Sequence, residues 1–203
     1  LTLARECAPC YLYEYDVMRR QVETLRQAFP RYDLLYSIKA NPFPPVVRAL
    51  AGLGLGADAA SAPEVLLSRR CGMAKADIFF SAAGKSDAAL EAAWNEGEII
   101  ADSLGEVERI GALCEAKGQR RAIGVRMNPG FGMGGTVGGP SKFGINEEDL
   151  PQLKALLDTL PVTVEGIHVH LKSQNLDADV LGGCYRDSWA LAKRVRDALD
   201  GEL

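Results

Sequence analysis

Three sets of residues in this sequence have types and spacings that could carry chemistry. Lys39 closes the run Leu34-Leu-Tyr-Ser-Ile-Lys39, a short β-rich and largely apolar segment. At the mouth of a barrel, desolvation would lower the pKa of such a lysine and free its amine as a nucleophile. The plainer reading is a solvated lysine at a strand end. His168 and His170 are the chain's two histidines, and on a strand a spacing of two puts them on one face. They could ligate a metal, contact a cofactor or pack as structural residues; a hydrolase-type metal site would want further histidines, which the chain lacks. Cys7-Ala-Pro-Cys10 has the spacing of a redox or zinc pair. No second cysteine pair completes a zinc site and no βαβ unit precedes the motif, so two thiols in a loose segment is the simpler reading.

Repeating elements position these groups. Strand-like runs end at Lys39, Asp58, Ser81, Asp102, Arg126 and His170, and the first four intervals are 19, 23, 21 and 24 residues. Helical patterns fill the gaps: 16–29 with Asp16 as N-cap, then 46–53, 62–70, 86–95, 104–117 and 147–157, and a last one over 181–199. This alternation predicts an α/β fold of parallel βα units. Every strand ends in a polar or ionisable residue. That suits a (β/α)8 TIM barrel, where all strand ends ring one site, better than a doubly wound sheet, where the site gathers at one switch point. Six βα units are present, so the barrel reads as incomplete. The longer interval before His170 holds a glycine-dense loop over 128–144, which reads as a lid or substrate loop. Gly52-Leu-Gly-Leu-Gly56 precedes a strand rather than following one, so it is no dinucleotide fingerprint, and no GxxxxGK[ST] loop occurs.

Composition narrows the class. The chain has 203 residues, a net charge of −4, 47% hydrophobic and 25% charged residues, as globular domains do. The acidic balance, without a basic stripe, argues against nucleic acid as partner. No apolar run approaches membrane-spanning length, and the first residues lack the basic start and apolar stretch of a signal peptide. No membrane partner is expected. Five scattered cysteines, an odd number, do not form a disulfide framework.

Tyr36-Ser-Ile-Lys-Ala-Asn-Pro42 resembles the signature of barrel-type (fold type III) pyridoxal-phosphate decarboxylases of basic amino acids, the diaminopimelate, ornithine and arginine decarboxylase group. Gly56-Ala-Asp-Ala-Ala-Ser61 with Glu64, Ser81-Ala-Ala-Gly-Lys-Ser86, Asp102-Ser103, Val125-Arg-Met-Asn-Pro129, Ser141-Lys-Phe-Gly-Ile145 and Gly166-Ile-His-Val-His-Leu-Lys-Ser-Gln174 resemble its later motifs, in order along nearly the whole chain. The resemblance implies a barrel of the alanine racemase type, with 1–203 as its pyridoxal-phosphate-binding domain. It also implies an amino-acid substrate, a cytoplasmic location and a homodimer at full length. Lys39 would be the Schiff-base lysine and His170 would stack on the ring; these two are the catalytic candidates. Ser173 would donate to the phosphate. Asp58 and Arg126 would lie near the ring, with Glu64 helping to orient them and His168 as support. No metal is implied. Lys85 and Lys142 read either as substrate-side charges or as surface.

Three departures accompany the resemblance. Lys172 stands where the family's phosphate turn has glycine, so strain or an added charged contact is expected there. The stretch Gly130-Phe-Gly-Met-Gly-Gly-Thr-Val-Gly-Gly139 looks closer to sister decarboxylases of siderophore and antibiotic pathways than to diaminopimelate decarboxylases. The phosphate loop after the seventh strand, the acidic residue of the eighth and the C-terminal β-domain are absent from these residues, so little turnover is expected from them alone. The alternatives are a pyridoxal-phosphate racemase or non-catalytic carrier, and a metal-dependent barrel hydrolase.

Overall fold

Parallel strands follow one another in chain order across the sheet of this protein, a computed structural model that describes residues 2–139 and 141–201. After α1 (Thr2–Cys7) and α2 (Tyr15–Ala28) come β1 (Leu35–Ser37), α3 (Pro44–Gly52), β2 (Gly56–Ala59), α4 (Ala62–Arg70), β3 (Ile78–Phe80), α5 (Asp87–Ala93), β4 (Glu98–Ala101), α6 (Leu104–Lys117) and β5 (Arg121–Asn128). The chain continues through β6 (Ile145–Asn146), α7 (Leu150–Leu157), β7 (Val162–His168) and α8 (Ala178–Ala198). The sheet runs β1-β2-β3-β4-β5, and both β6 and β7 pair with β5. A doubly wound sheet reverses its order at a switch point. This one never does: it is an arc of six βα staves with the two-residue β6 added.

Alternation within each strand separates two faces. Ile123, Val125 and Met127 of β5 are buried with Val107, Ile110, Leu153, Leu191 and Val195 of the outer helices. Ala57, Ala59, Ile78 and Phe80 do the same against Val47 and Val65. The opposite, concave face receives Ser37, Asp58, Ile100, Gly124, Arg126 and His168. A bulge sets the last of these. Ile123 pairs with Val164, but Gly124 pairs with Gly166, so Glu165 is an extra residue and the alternation of β7 shifts by one. His168 thereby falls in register with Arg126.

Strand and helix ends differ from the sequence expectations in a few places. β1 stops at Ser37, and Lys39 sits in the 3-10 turn Ile38–Ala40. β7 stops at His168, so His170 lies two residues beyond the strand and the two histidines do not share a strand face. Glu14, not Asp16, occupies the N-cap of α2, without a side-chain cap bond. The last helix starts at Ala178, where the Asp177 carboxylate accepts the N–H groups of Asp179 and Val180. Pro140, inside the expected lid loop, lies outside the described residues.

Candidate functional site

The C-terminal ends of the staves carry two polar clusters. In the first, the Asp58 carboxylate accepts hydrogen bonds from the hydroxyl of Ser37 at 3.1 Å and from that of Ser81. Ser37 is in register with Asp58, and Ser81 follows β3, so three adjacent staves converge on one carboxylate. Behind Asp58, the Glu64 carboxylate accepts the Ala60 N–H at 2.7 Å while the Ser61 hydroxyl accepts the Glu64 N–H. This reciprocal cap fixes the backbone that follows Asp58.

The second cluster repeats the device. Ser103 and Glu106 cap α6 in the same way, with the Glu106 carboxylate accepting the Asp102 N–H at 2.7 Å. The Asp102 carboxylate, 6% exposed, accepts from Arg126 Nη1 at 3.4 Å. The Phe143 ring lies 4.9 Å from the Arg126 guanidinium, a cation–π contact. Gly144 (φ +84°) makes that approach possible: a side chain there would press on the backbone of Arg126, Met127 and Asn128. This gives a physical reason for the Lys-Phe-Gly motif.

His168 links the two clusters. Its Nδ1 is buried and has no hydrogen-bond partner among the described residues. Burial holds its pKa below the ordinary histidine value, and the charges of Arg126 and His170 add to this, while Asp58 and Asp102 pull the other way. Of these groups, Arg126 is the strand partner of His168 in register.

The remaining predicted residues are less gathered. Lys39 is exposed, one turn beyond Ser37, and its amine has no polar partner among the described residues. His170 and Ser173 are exposed in the segment between β7 and α8. His170 and Lys172 line a cavity of about 190 Å³ with Met133, Cys184 and Tyr185. A larger one, about 300 Å³, lies between Gly134–Gly135 and α8. Neither is lined by Asp58, Asp102 or Arg126. The expectation of strain at Lys172 is not met: the left-handed residue in this turn is Gln174 (φ +60°). Cys7 and Cys10 are both exposed free thiols. No group of three or more His, Cys, Asp or Glu among the described residues could hold a metal ion, and no helix among them is long and apolar enough to cross a membrane.

Lys142 is exposed beside Phe143. Lys85 fits neither of its expected roles. It is 3% exposed, and its ammonium donates to the Ala82 and Ile100 carbonyls and to Glu106. Burial pushes its pKa down against the attraction of Glu106. The repeated Ser-x-x-Glu spacing foreshadows the caps, but only the tertiary fold brings Lys85 to one of them.

Residues 15–199 match the family described as pyridoxal-dependent decarboxylase, pyridoxal binding domain. The chain is 34% identical over 179 residues to the L-glutamyl-[BtrI acyl-carrier protein] decarboxylase of Niallia circulans, covering 84% of this chain and 42% of that protein. It is 30% identical over 203 residues to the diaminopimelate decarboxylase of Bacteroides thetaiotaomicron, covering 95% and 51%. Among solved structures, diaminopimelate decarboxylase from Helicobacter pylori complexed with L-lysine superposes with a TM-score of 0.83 at 25% identity, covering 97% of this chain and 52% of that one. The chain spans about half the length of the relatives it matches.

Proposed function

The chain belongs to the pyridoxal-dependent decarboxylase family, as its pyridoxal-binding domain, and from that premise we propose that it is the cofactor-holding part of an amino-acid decarboxylase. The barrel would be completed by segments equivalent to the other half of its relatives, and the whole would work as a cytoplasmic homodimer. The groups at the stave ends suit pyridoxal phosphate, which is an aldehyde carrying a phosphate. An exposed primary amine at Lys39, a guanidinium at Arg126 and the Ser173 hydroxyl are the right donors for such a molecule.

When bound, the cofactor supplies a conjugated ring that takes up the electron pair left on the α-carbon as carbon dioxide departs. Lys39 offers its amine for attachment. Asp58, held by Ser37 and Ser81, keeps a fixed negative charge beside the mouth. Arg126, oriented by Asp102 and Phe143, keeps a fixed positive charge on the adjoining staves. Exposed His170 is free to lie against a flat ring, and Ser173 can donate to an anion. The 203-residue chain alone would turn over little.

The observation that carries this reading is the exposed Lys39 amine within a family match of 185 residues (15–199). The test uses the full-length protein. A visible absorbance band present in the native protein and absent in Lys39→Ala is expected; a colourless native protein overturns the reading. Carbon dioxide released from diaminopimelate, lysine, ornithine, arginine or carrier-linked glutamate separates a decarboxylase from a racemase and names the substrate. The carrier-linked compound is included because of the Niallia relative and the glycine-dense loop.

A further inference from the structure

Both helix caps behind the site are built alike, yet only one has a lysine. At α4, Glu64 accepts the Ala60 N–H with no basic side chain on it among the described residues. At α6, Glu106 is 1% exposed and Lys85 joins it. The lysine is therefore not needed for the cap itself. Its ammonium donates to Glu106 Oε2 at 3.3 Å, with Oε1 at 3.2 Å, and to the carbonyls of Ala82 and Ile100. It thus ties the turn after β3 to the end of β4. Glu106 in turn holds the Asp102 N–H, and the Asp102 carboxylate holds Arg126. Arg126 stands in register with His168.

We infer that Lys85 is a positioning residue: through Glu106 and the Asp102 backbone it sets where the Asp102 carboxylate, and with it the Arg126 guanidinium, stands at the mouth. A buried glutamate without its counter-ion would recruit water or turn away, releasing the Asp102 N–H. Arg126 would then lose its fixed partner. The functional weight of this link rests on the reading of Arg126 as a cofactor contact. The link itself can be measured without cofactor.

The His168 imidazole can be followed by NMR in the cofactor-free full-length protein, its signal assigned by its absence in His168→Gln. The charged groups that act on His168 are Arg126 on β5, Asp58 on β2, Asp102 after β4 and His170 beyond its own strand. Moving Arg126 away removes a repulsion, so Lys85→Met should raise the His168 midpoint by roughly half a pH unit. Val65→Ala, a buried change in α4 away from this path, should leave it in place. In an Asp102→Asn background, Lys85→Met should add nothing, because its effect passes through that carboxylate. Should Lys85→Met fail to fold, Lys85→Met combined with Glu106→Leu leaves no unpaired buried charge, takes away the acceptor of the Asp102 N–H, and should move the midpoint in the same direction. An unmoved midpoint overturns the proposal. So does an equal shift in Val65→Ala, or a full Lys85→Met effect in the Asp102→Asn background. Failure of the absorbance test with success here would sink the cofactor reading and leave the positioning intact.

Discussion

His168 is held neutral more readily in the folded chain than in the unfolded one, chiefly by burial and then by Arg126. In the unfolded chain it titrates near about 6.5. Between that value and the lower folded one, the unfolded state binds more protons, so stability rises with pH. The contribution is complete above about 6.5 and is lost as pH falls toward the folded pKa. Thermal unfolding between about pH 7.5 and 5 should therefore show an acid-side loss that His168→Gln reduces. An undiminished loss in the variant would assign the effect to another group. The histidine pair was visible in the sequence and the family resemblance implied separate roles for its members, but the geometry that separates them was not legible. The bulge at Glu165 turns His168 onto the concave face and leaves His170 beyond the strand, and a bulge depends on the partner strand as much as on its own residues. Lys85 was equally hard to read. A lone lysine in an Ala-Ala-Gly-Lys-Ser turn resembles any surface lysine until β4 and α6 close over it.

The elements follow from local rules more directly. Ser61, Ser86 and Ser103 each accept the N–H three residues on, and each starts a helix where a serine precedes a helical pattern. Packing between staves is less forgiving. Gly124 of β5 leaves room for the Ile100 side chain of β4, and a methyl group at Gly124 would collide with it. Gly124→Ala should lower stability by about 1–3 kcal/mol, measured by urea unfolding, as overpacked positions do. Adding Ile100→Val removes the methyl that stands in the way, so the double variant should recover part of the loss. A double variant less stable than the single would mean that the collision is relieved by another route. The two-residue β6 was not expected at all. It is too short for any periodic signal and exists because Gly144 lets the loop settle onto the end of β5.

At the scale of the whole molecule, the arc has two edges among the described residues, β1 on one side and β6 with β7 on the other. Leu35 on β1 is 41% exposed. Open parallel edges bearing apolar side chains invite pairing with another chain. The 203-residue chain should accordingly sediment as larger species as its concentration rises. Leu35→Lys should hold it closer to monomer, and equal association in both would place the contact elsewhere. By itself the sequence determined the βα repeat, its barrel-like order and the family, because hydrophobic periodicity and short motifs are written residue by residue. Only the tertiary structure decided which polar groups meet: Asp58 with two hydroxyls from neighbouring staves, Arg126 with Asp102 and Phe143, and Lys85 with Glu106. Those meetings join residues about twenty apart, on strands whose register and bulges are set by packing against the outer helices. The sequence therefore carries them only as a sum of distant contacts.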